Sequence, residues 1–480
     1  MNRNVLKYLL MLVVVFLGTT ACSDDDATGT SPGEDVGVVV TSSEVYRPME
    51  LTQALSQSDY LEDNGISEAW MKQLANGAFD VLMTKRINNL DSYFHQEHQE
   101  SGFLSFRQWQ VESYCFKYRT LSAAGEPITL SGRVTLPNLK DGSGHEVSSL
   151  SIYVHHYFWH WYEAPSKNLS PAVLRAFFNS AVIEPDLEGY GVTADCIPCG
   201  ISYIEQARQV IDCVWAALKV MQDHGVKFSP GGHSTLWGLS LGSPVAIATA
   251  RYCEEMLSQQ QQDAINLSSV FCDSGPYLLG DILDYWDANP KVNASLIRRL
   301  LMFIHAFSKE NLEGYEPRDF AAEWMQSYQV TYKGKNVSLY DAIKDCGGDE
   351  TVFDLWPETI PKTKVSNCLA TEMMQPDGML NRENPKAQAF IRILKKCSDV
   401  GTWLPKASVY MTHSSNDTYI PFVQAEAFYN QIKGGNNVNF KDVTGGITGS
   451  ITDVHEACTI NGLIGMALYE EPADAFEFLQ

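Results

Sequence analysis

Short apolar runs separated by helical patterns extend through most of this 480-residue chain. Runs of this length without polar alternation are typical of strands that are buried on both faces of a sheet. Apolar residues at three- and four-residue steps predict helices between them, notably over Ile201–Met221 and Pro244–Met256. This alternation predicts an α/β fold with a doubly wound, mostly parallel sheet. The predicted strands are Leu150–Val154, Ala181–Ile183, Thr235–Trp237, Val270–Cys272, Ser408–Met411 and Val438–Val443.

Two different patterns precede these runs. Residues 43–105 are mostly helical in pattern and predict an N-terminal helical extension. Then Tyr114, Phe116 and Tyr118 alternate with polar residues and lead to a turn at residues 124–127, which predicts a β-hairpin. The extension, the hairpin and the alternating region together predict one domain over residues 43–480.

The alternation is interrupted between about residues 276 and 400, where several amphipathic helices occur without a clear strand. An insertion of this length between two strands of a sheet is most simply a helical cap over one edge. We therefore expect a cap insertion at this position in the domain.

The N-terminus has the pattern of an export signal. Two basic residues, Arg3 and Lys7, precede the apolar run Leu9–Leu17, which is too short to span a bilayer but fits the centre of a signal peptide. Small residues then lead to Cys22, and this junction resembles the lipobox of bacterial lipoproteins, although Thr19 replaces the usual leucine. The resemblance implies removal of residues 1–21 and lipidation of Cys22; ordinary secretion with an incidental cysteine is the alternative.

The residues after that cysteine predict a flexible tether and a sorting signal. Residues 22–42, rich in Asp, Gly, Ser and Thr, predict a flexible linker. The acidic cluster Ser23–Asp26 resembles the signal that directs some Gram-negative lipoproteins to the outer face of the cell. We therefore expect an exported lipoprotein of the outer membrane that faces the cell surface.

The charge balance restricts the possible partners. The chain has 58 acidic and 35 basic residues and a formal net charge of -23. Nucleic-acid binding needs clustered Lys and Arg against phosphates, so we expect no nucleic-acid partner. The same balance opposes docking on an anionic membrane surface, which leaves the lipid anchor as the expected membrane contact.

One motif points to nucleophilic chemistry. Residues Gly238–Gly242 read Gly-Leu-Ser-Leu-Gly and fit the G-x-S-x-G nucleophile elbow, in which a strained strand-to-helix turn exposes the serine hydroxyl. The same pattern occurs by chance at residues 29–33, inside the tether, where no strand or helix is predicted around Ser31. Ser240 has a predicted strand before it and a predicted helix after it, so Ser240 is the candidate nucleophile.

A serine nucleophile needs a base and an acid that orients the base. On an elbow of this kind the expected order along the chain is Ser, then Asp or Glu, then His. Asp417 lies in the loop after the strand Ser408–Met411, and His455 is the only histidine after it. Asp273, just after the strand Val270–Cys272, is the alternative acid.

Residues from about 110 to 480 resemble the α/β-hydrolase superfamily, especially its secreted lipases and esterases. The resemblance rests on the elbow, on the segment Glu184–Gly191, which is similar to the family's Pro-Asp-x-x-Gly-x-Gly, and on the loop His413–Ala425. It implies Ser240 as nucleophile, His455 as general base and acid, and Asp417 as the orienting acid. No cofactor is implied.

The elbow also predicts how an oxyanion is stabilised. One donor should be the backbone N–H of Leu241, the residue after the nucleophile. The second should come from the loop after Leu150–Val154, with Tyr157 the first choice and His156 the next, because the His-Gly of many relatives is absent. Adjacent histidines at 155 and 156 point to opposite sides of an extended chain, so we expect no metal site there.

The resemblance implies a serine hydrolase that cleaves carboxylic esters of small molecules or lipids through an acyl-enzyme. Two other functions remain open. A serine peptidase could use the same residues, because the triad attacks amides and esters alike. A surface binding protein could use the fold without its chemistry.

Overall fold

The computed structural model describes residues 109–139, 146–156, 164–167, 179–196, 198–288, 314–346, 350–360, 367–434, 437–443, 454–469 and 471–479, with shorter stretches at 16–17, 39–50, 57–58, 170, 172 and 175–176. The longer strands are β1 Val39–Glu50, β2 Trp109–Leu121, β3 Pro127–Leu139, β4 Glu146–Val154, β5 Ser180–Pro185, β6 Lys227–Leu239, β7 Leu267–Asp273, β8 Gln329–Tyr332, β9 Lys335–Ser338, β10 Ser408–His413 and β11 Val438–Asp442. The α-helices are α1 Tyr203–Asp223, α2 Gly242–Glu255, α3 Gln259–Ile265, α4 Leu279–Ala288, α5 Pro317–Phe320, α6 Glu323–Ser327, α7 Leu339–Lys344, α8 Pro385–Ser398, α9 Phe422–Ile432, α10 Val454–Leu468 and α11 Pro472–Phe478.

Nine strands form one sheet in the order β11-β10-β7-β6-β4-β5-β3-β2-β1. The strands from β11 to β5 are parallel, and β3, β2 and β1 each pair antiparallel with the preceding strand in this order. Five of the six predicted strands lie within strands of the parallel part, the sixth, Val438–Val443, extends one residue beyond β11, and the predicted hairpin is β2–β3. The mostly parallel α/β sheet is therefore confirmed.

The sheet is covered on both faces, as a doubly wound fold requires. Successive residues of a strand point to opposite faces, so Ile152 and Val154 of β4 join one core while Tyr153 joins the other. The first core packs against α1 and α2, and the second packs against α10 and α11. Because both faces are buried, the strands read as continuous apolar runs.

The N-terminal prediction is wrong over residues 39–50. Instead of a tether followed by a helix, this segment is strand β1, which pairs antiparallel with β2 at the edge of the sheet. Its β-branched residues Val39, Val40 and Thr41 favour a strand, and the open edge of β2 supplies backbone partners. Two-residue strands at Phe16–Leu17 and Gln57–Ser58 also pair. The rest of the predicted signal peptide, Cys22 and the remainder of residues 43–105 lie outside the described residues.

The chain between β7 and β10, here called the insertion, contains helices α4 to α8. It also contains the hairpin β8–β9, so the expectation of no strand in this segment is wrong. The turn at Lys333 and Gly334 has φ of 48° and 74°, the left-handed pair that a two-residue hairpin turn needs. In the part of the chain described, no helix combines the length and apolar character needed to cross a membrane.

Candidate active site

Ser240 occupies the turn between β6 and α2 with a φ of 48°, a left-handed conformation that is strained for a residue with a side chain. The turn is held on both sides: Ser240 N–H donates to Asp273 O at 2.8 Å, and Ser243 N–H donates to Ser240 O at 2.9 Å. Ser243 Oγ also lies 2.9 Å from Gly238 O and 2.7 Å from Asp273 O. The surrounding hydrogen bonds therefore support the strained backbone of the elbow.

Close packing explains the two glycines of the motif. A Cβ on Gly238 would lie 2.5 Å from Gly242 O, and one on Gly242 would lie 2.2 Å from Val154 O and 2.5 Å from His155 O. Neither position can accept a side chain without moving backbone atoms. At Gly242 the atoms that would move belong to the end of β4 and the loop after it.

The three residues assigned from sequence lie in one hydrogen-bonded chain. Ser240 Oγ is 2.8 Å from His455 Nε2, and His455 Nδ1 is 2.8 Å from Asp417 Oδ2. A carboxylate only accepts, so Nδ1 carries the proton and Nε2 presents its lone pair to the serine hydroxyl. The side chain of Asp417 is fully buried, and that of His455 is 10% exposed at the first turn of α10.

The loop after β10 stabilises an ionised Asp417. Its Oδ1 accepts the backbone N–H groups of Tyr419 at 2.8 Å and Ile420 at 2.9 Å. Burial alone would raise its pKa, but the charge of His455, the hydrogen bond from that residue, the charge of His413 and the Ile420 N–H hold the pKa below its usual value. Asp417 is thus a charged partner for the imidazole.

The alternative acid, Asp273, is placed differently. Its Oδ1 accepts the hydroxyl of Thr412 at 2.6 Å, and its Oδ2 has no hydrogen-bond partner among the described residues. Burial raises the pKa of Asp273 to about 7, against smaller opposing effects from Thr412 and His455. The hydrogen bond of His455 Nδ1 goes to Asp417, so Asp273 is a second, more weakly acidic carboxyl behind the site.

The predicted oxyanion donors are only partly described. Leu241 lies between the nucleophile and the first residue of α2, where the positive end of the helix dipole favours a developing negative charge. A pocket beside this turn is lined by Leu241, Gly242, His155 and His156, so the loop after β4 does reach the elbow. Tyr157 lies outside the described residues.

The loop beside this pocket is fixed by the His155 side chain. One ring nitrogen, Nδ1, lies 2.6 Å from His156 O, and the other, Nε2, lies 3.0 Å from Asp186 O. Burial lowers the pKa of His155, which favours the neutral ring, and a neutral ring has one N–H, so it donates to one of these two carbonyls at a time. Asp186 belongs to the segment singled out by its resemblance to the Pro-Asp-x-x-Gly-x-Gly pattern, so that segment supports this loop.

Sequence reasoning missed two side chains that contact the hydrogen-bonded chain. The ring of Tyr419 stacks on His455, with centroids 5.0 Å apart and planes 16° apart. His413 is fully buried, lies 3.6 Å from Asp417 through its Nε2, and bonds Ile420 O at 2.8 Å. Both residues belong to the loop identified by resemblance, but loop contacts carry no periodic signal. Across the described ranges, no group of three or more His, Cys, Asp or Glu is arranged to hold a metal ion.

Comparison with known proteins places the fold. No family model and no curated protein sequence matches the chain. A ligand-bound structure of LipA, described as a rice cell wall degrading esterase of Xanthomonas oryzae, matches with a TM-score of 0.57 and 19% identity over 90% of this chain and 97% of that one. A mutant of the same esterase matches at 23% identity, with a TM-score of 0.53 over 75% and 89% of the two chains. A candidate hydrolase of Legionella pneumophila matches at 17%, with a TM-score of 0.56 over 75% and 88%. The chain therefore has the α/β-hydrolase fold, in the form seen in these structures.

Proposed function

We propose that this protein is a serine hydrolase of carboxylic esters, an esterase or lipase. The observation that carries the proposal is the chain of two 2.8 Å hydrogen bonds from Ser240 through His455 to Asp417, which begins at a strained elbow. A serine hydroxyl gains nucleophilicity when an oriented, neutral imidazole can take its proton. The esterase described for the similar Xanthomonas structures supports the ester class.

The reaction proceeds in two steps. Ser240 Oγ attacks the ester carbonyl carbon while its proton passes to His455 Nε2, and the carbonyl oxygen becomes an oxyanion next to the Leu241 N–H. When this intermediate collapses, the alcohol leaves with the proton from His455, and the acyl group remains on Ser240. A water molecule then attacks the acyl-enzyme with His455 as base, which releases the acid and restores the serine.

The proposal is tested with the Ser240→Ala variant on p-nitrophenyl butyrate. Its kcat should fall by about 10⁴-fold or more, because the acyl group then has no acceptor on the protein. Ser258→Ala is the matched control: Ser258 is an exposed N-cap of α3 and should leave kcat unchanged. A fluorophosphonate probe should label the wild type and not Ser240→Ala. Equal hydrolysis by Ser240→Ala and the control would refute the assignment.

The peptidase and binding-protein alternatives are separated by the same assay. Matched aminoacyl p-nitroanilides and p-nitrophenyl esters should give a higher kcat/KM for the ester by at least tenfold. A higher kcat/KM for the anilide would make the protein a peptidase. Absence of probe labelling and of turnover on both series would leave binding as its function.

Export and lipidation remain part of the proposal. The apolar run Leu9–Leu17 and the small residues before Cys22 support a lipid-anchored enzyme at the outer membrane, facing the cell surface. Cells grown with radiolabelled palmitate should label the wild-type protein, and Cys22→Ala should remain unlabelled. Label on Cys22→Ala, or its absence from the wild type, would contradict the anchor.

A further inference from the structure

Five residues connect the end of β7 to the start of α4, and the last four of them, Gly275–Leu278, are here called the insertion root. The side chain of Gln424 makes three hydrogen bonds to this short segment. Its Oε1 accepts the N–H groups of Tyr277 at 2.8 Å and Leu278 at 3.2 Å, and its Nε2 donates to Gly275 O at 2.9 Å. Gln424 is only 3% exposed, so these bonds form away from water.

Two further contacts hold the same segment from other elements. The ring of Tyr277 stacks on Phe428, with centroids 4.8 Å apart and planes 4° apart, and Phe428 lies one helical turn after Gln424 on α9. From the other side, Tyr203 OH of α1 donates to Pro276 O at 2.7 Å. The insertion root is therefore held between α9 and α1.

The insertion root also contacts the elbow. A Cβ on Gly275 would lie 2.6 Å from Ser243 Cβ, so the backbone there packs directly on the first turn of α2. In addition, α9 begins five residues after Asp417, at the end of the loop whose N–H groups bind that carboxylate. One face of α9 therefore links the loop of the orienting acid to the position where the insertion starts.

We propose that Gln424 is a positioning residue for the insertion, and that through the insertion root it sets which ester substrates reach Ser240. This inference rests on the proposed esterase function. An apolar side chain could fill the same volume, but it could not accept two N–H groups and donate to one carbonyl of the same segment, as the Gln424 amide does. These three bonds, two accepted and one donated, specify the direction of the backbone that enters α4, the first helix of the insertion.

The insertion root packs on the first turn of α2, three residues after Ser240, so we expect a bulky acyl chain bound at Ser240 to reach the start of the insertion and an acetyl group not to reach it. Loss of the three bonds should therefore raise KM for a long ester and leave a short ester unaffected. A role limited to stability would change the amount of folded protein, and so would lower kcat/KM for both esters alike.

The experiment compares Gln424→Met and Gln424→Glu on p-nitrophenyl acetate and p-nitrophenyl dodecanoate, which share one leaving group. Gln424→Met keeps the length and loses all three bonds, and its KM for the dodecanoate should rise about tenfold. Gln424→Glu keeps two acceptors and loses the donor, so its KM should rise about threefold. For the acetate, kcat and KM should stay within about twofold in both variants.

The matched control is Gln262→Met on α3, which removes two hydrogen bonds from a glutamine amide to the backbone carbonyls of Glu254 and Leu257. Its KM should be unchanged for both esters. If Gln424→Met does not fold, Gln424→Glu and Tyr203→Phe replace it in the test. Tyr203→Phe removes the hydrogen bond to Pro276 O and should also raise KM for the dodecanoate alone. A similar fall in kcat/KM for both esters, or an unchanged KM for the dodecanoate, would overturn the inference. Failure of the proposed function would appear instead as a wild type that hydrolyses neither ester.

Discussion

Ser240 and Asp273 show how closely the candidate site couples backbone and side-chain chemistry. The strained Ser240 turn is anchored by its N–H on the backbone carbonyl of Asp273, while the Asp273 carboxyl lies buried behind it. That carboxyl faces α10, where a Cβ on Gly462 would lie 2.9 Å from Asp273 Oδ2. A glycine inside a helix costs stability, but at this position the absence of a side chain leaves room for the Asp273 carboxyl against α10, the helix that carries His455.

Asp273 should cost stability as the pH rises. Burial raises its pKa from 3.8 to about 7, so the folded protein holds a proton that the unfolded chain has already lost. The cost is absent below about pH 4, grows between about pH 4 and pH 7, and is then constant. Asp273→Asn removes it, and we expect the Tm of this variant to exceed the wild-type Tm by about 2–4 °C at pH 8 and by less at pH 5.

Thermal unfolding at both pH values measures this effect. The control is Asp345→Asn, an exposed aspartate after α7, which should shift the Tm equally at pH 5 and pH 8. If Asp273→Asn changed the Tm by the same amount at the two pH values, the Asp273 carboxyl would not be protonated in the folded protein as proposed.

At the level of elements, the site depends on three loops at the carboxyl ends of parallel strands. The elbow follows β6, the acid loop follows β10, and the loop of His155 follows β4, so the register of these strands sets the distances between their ends. Helix α10 is fixed at its far end, where Arg175 donates to Met466 O at 3.0 Å and lies over the Trp237 ring at 4.2 Å. His455 is thus positioned from both ends of its helix.

The contact between Gly242 and β4 should be sensitive to one added methyl group. In Gly242→Ala the new Cβ would meet Val154 O and His155 O, and the loop beside Leu241 would have to move. We expect kcat/KM for p-nitrophenyl acetate to fall by about 10²-fold, since displacement of an oxyanion donor costs this much.

Gly231→Ala is the control for this variant, because nothing lies within 4 Å of a Cβ at that position. It should retain the wild-type kcat/KM. If Gly242→Ala also retained full activity, the loop after β4 would have accommodated the added methyl group without displacing the Leu241 N–H, which would contradict the prediction.

Much of this arrangement could be predicted from sequence, and the exceptions have physical causes. The runs at β4 to β7 are visible because burial on both faces leaves a local apolar signature. Ser240 is recognisable by its neighbours along the chain. By contrast, the preference of His455 for Asp417 over Asp273 depends on the direction of a side chain across two strand ends, which chain order does not encode.

Other features were hidden for different reasons. The hairpin β8–β9 is signalled only by Lys333 and Gly334 between short alternating segments, and the surrounding helical patterns outweigh it. Strand β1 forms because the edge of β2 offers partners, which is a property of the assembled sheet. Gln424 lies in the loop His413–Ala425 identified by resemblance, but its contacts with the insertion root join residues about 150 positions apart and leave no local pattern.

At the scale of the whole molecule, a chain with a net charge of -23 folds around a single sheet with a core on each face. Like charges on a compact surface repel, and this repulsion is relieved when the chain expands. Salt screens it, so we expect the Tm at pH 8 to rise by about 2–5 °C between 10 mM and 300 mM NaCl. KCl should give the same increase, and a Tm that is unchanged or lower in both salts would contradict it.

The distance along the chain between Ser240 and His455 has a consequence for biosynthesis. The two residues are 215 positions apart, and the whole insertion lies between them along the chain. As the polypeptide emerges from the ribosome, the strands up to β7 are made while the proposed base has not yet been synthesised. The proposed hydrolytic activity can then arise only after α10 has been made, and a chain cut short before α10 would carry the proposed nucleophile without the proposed base.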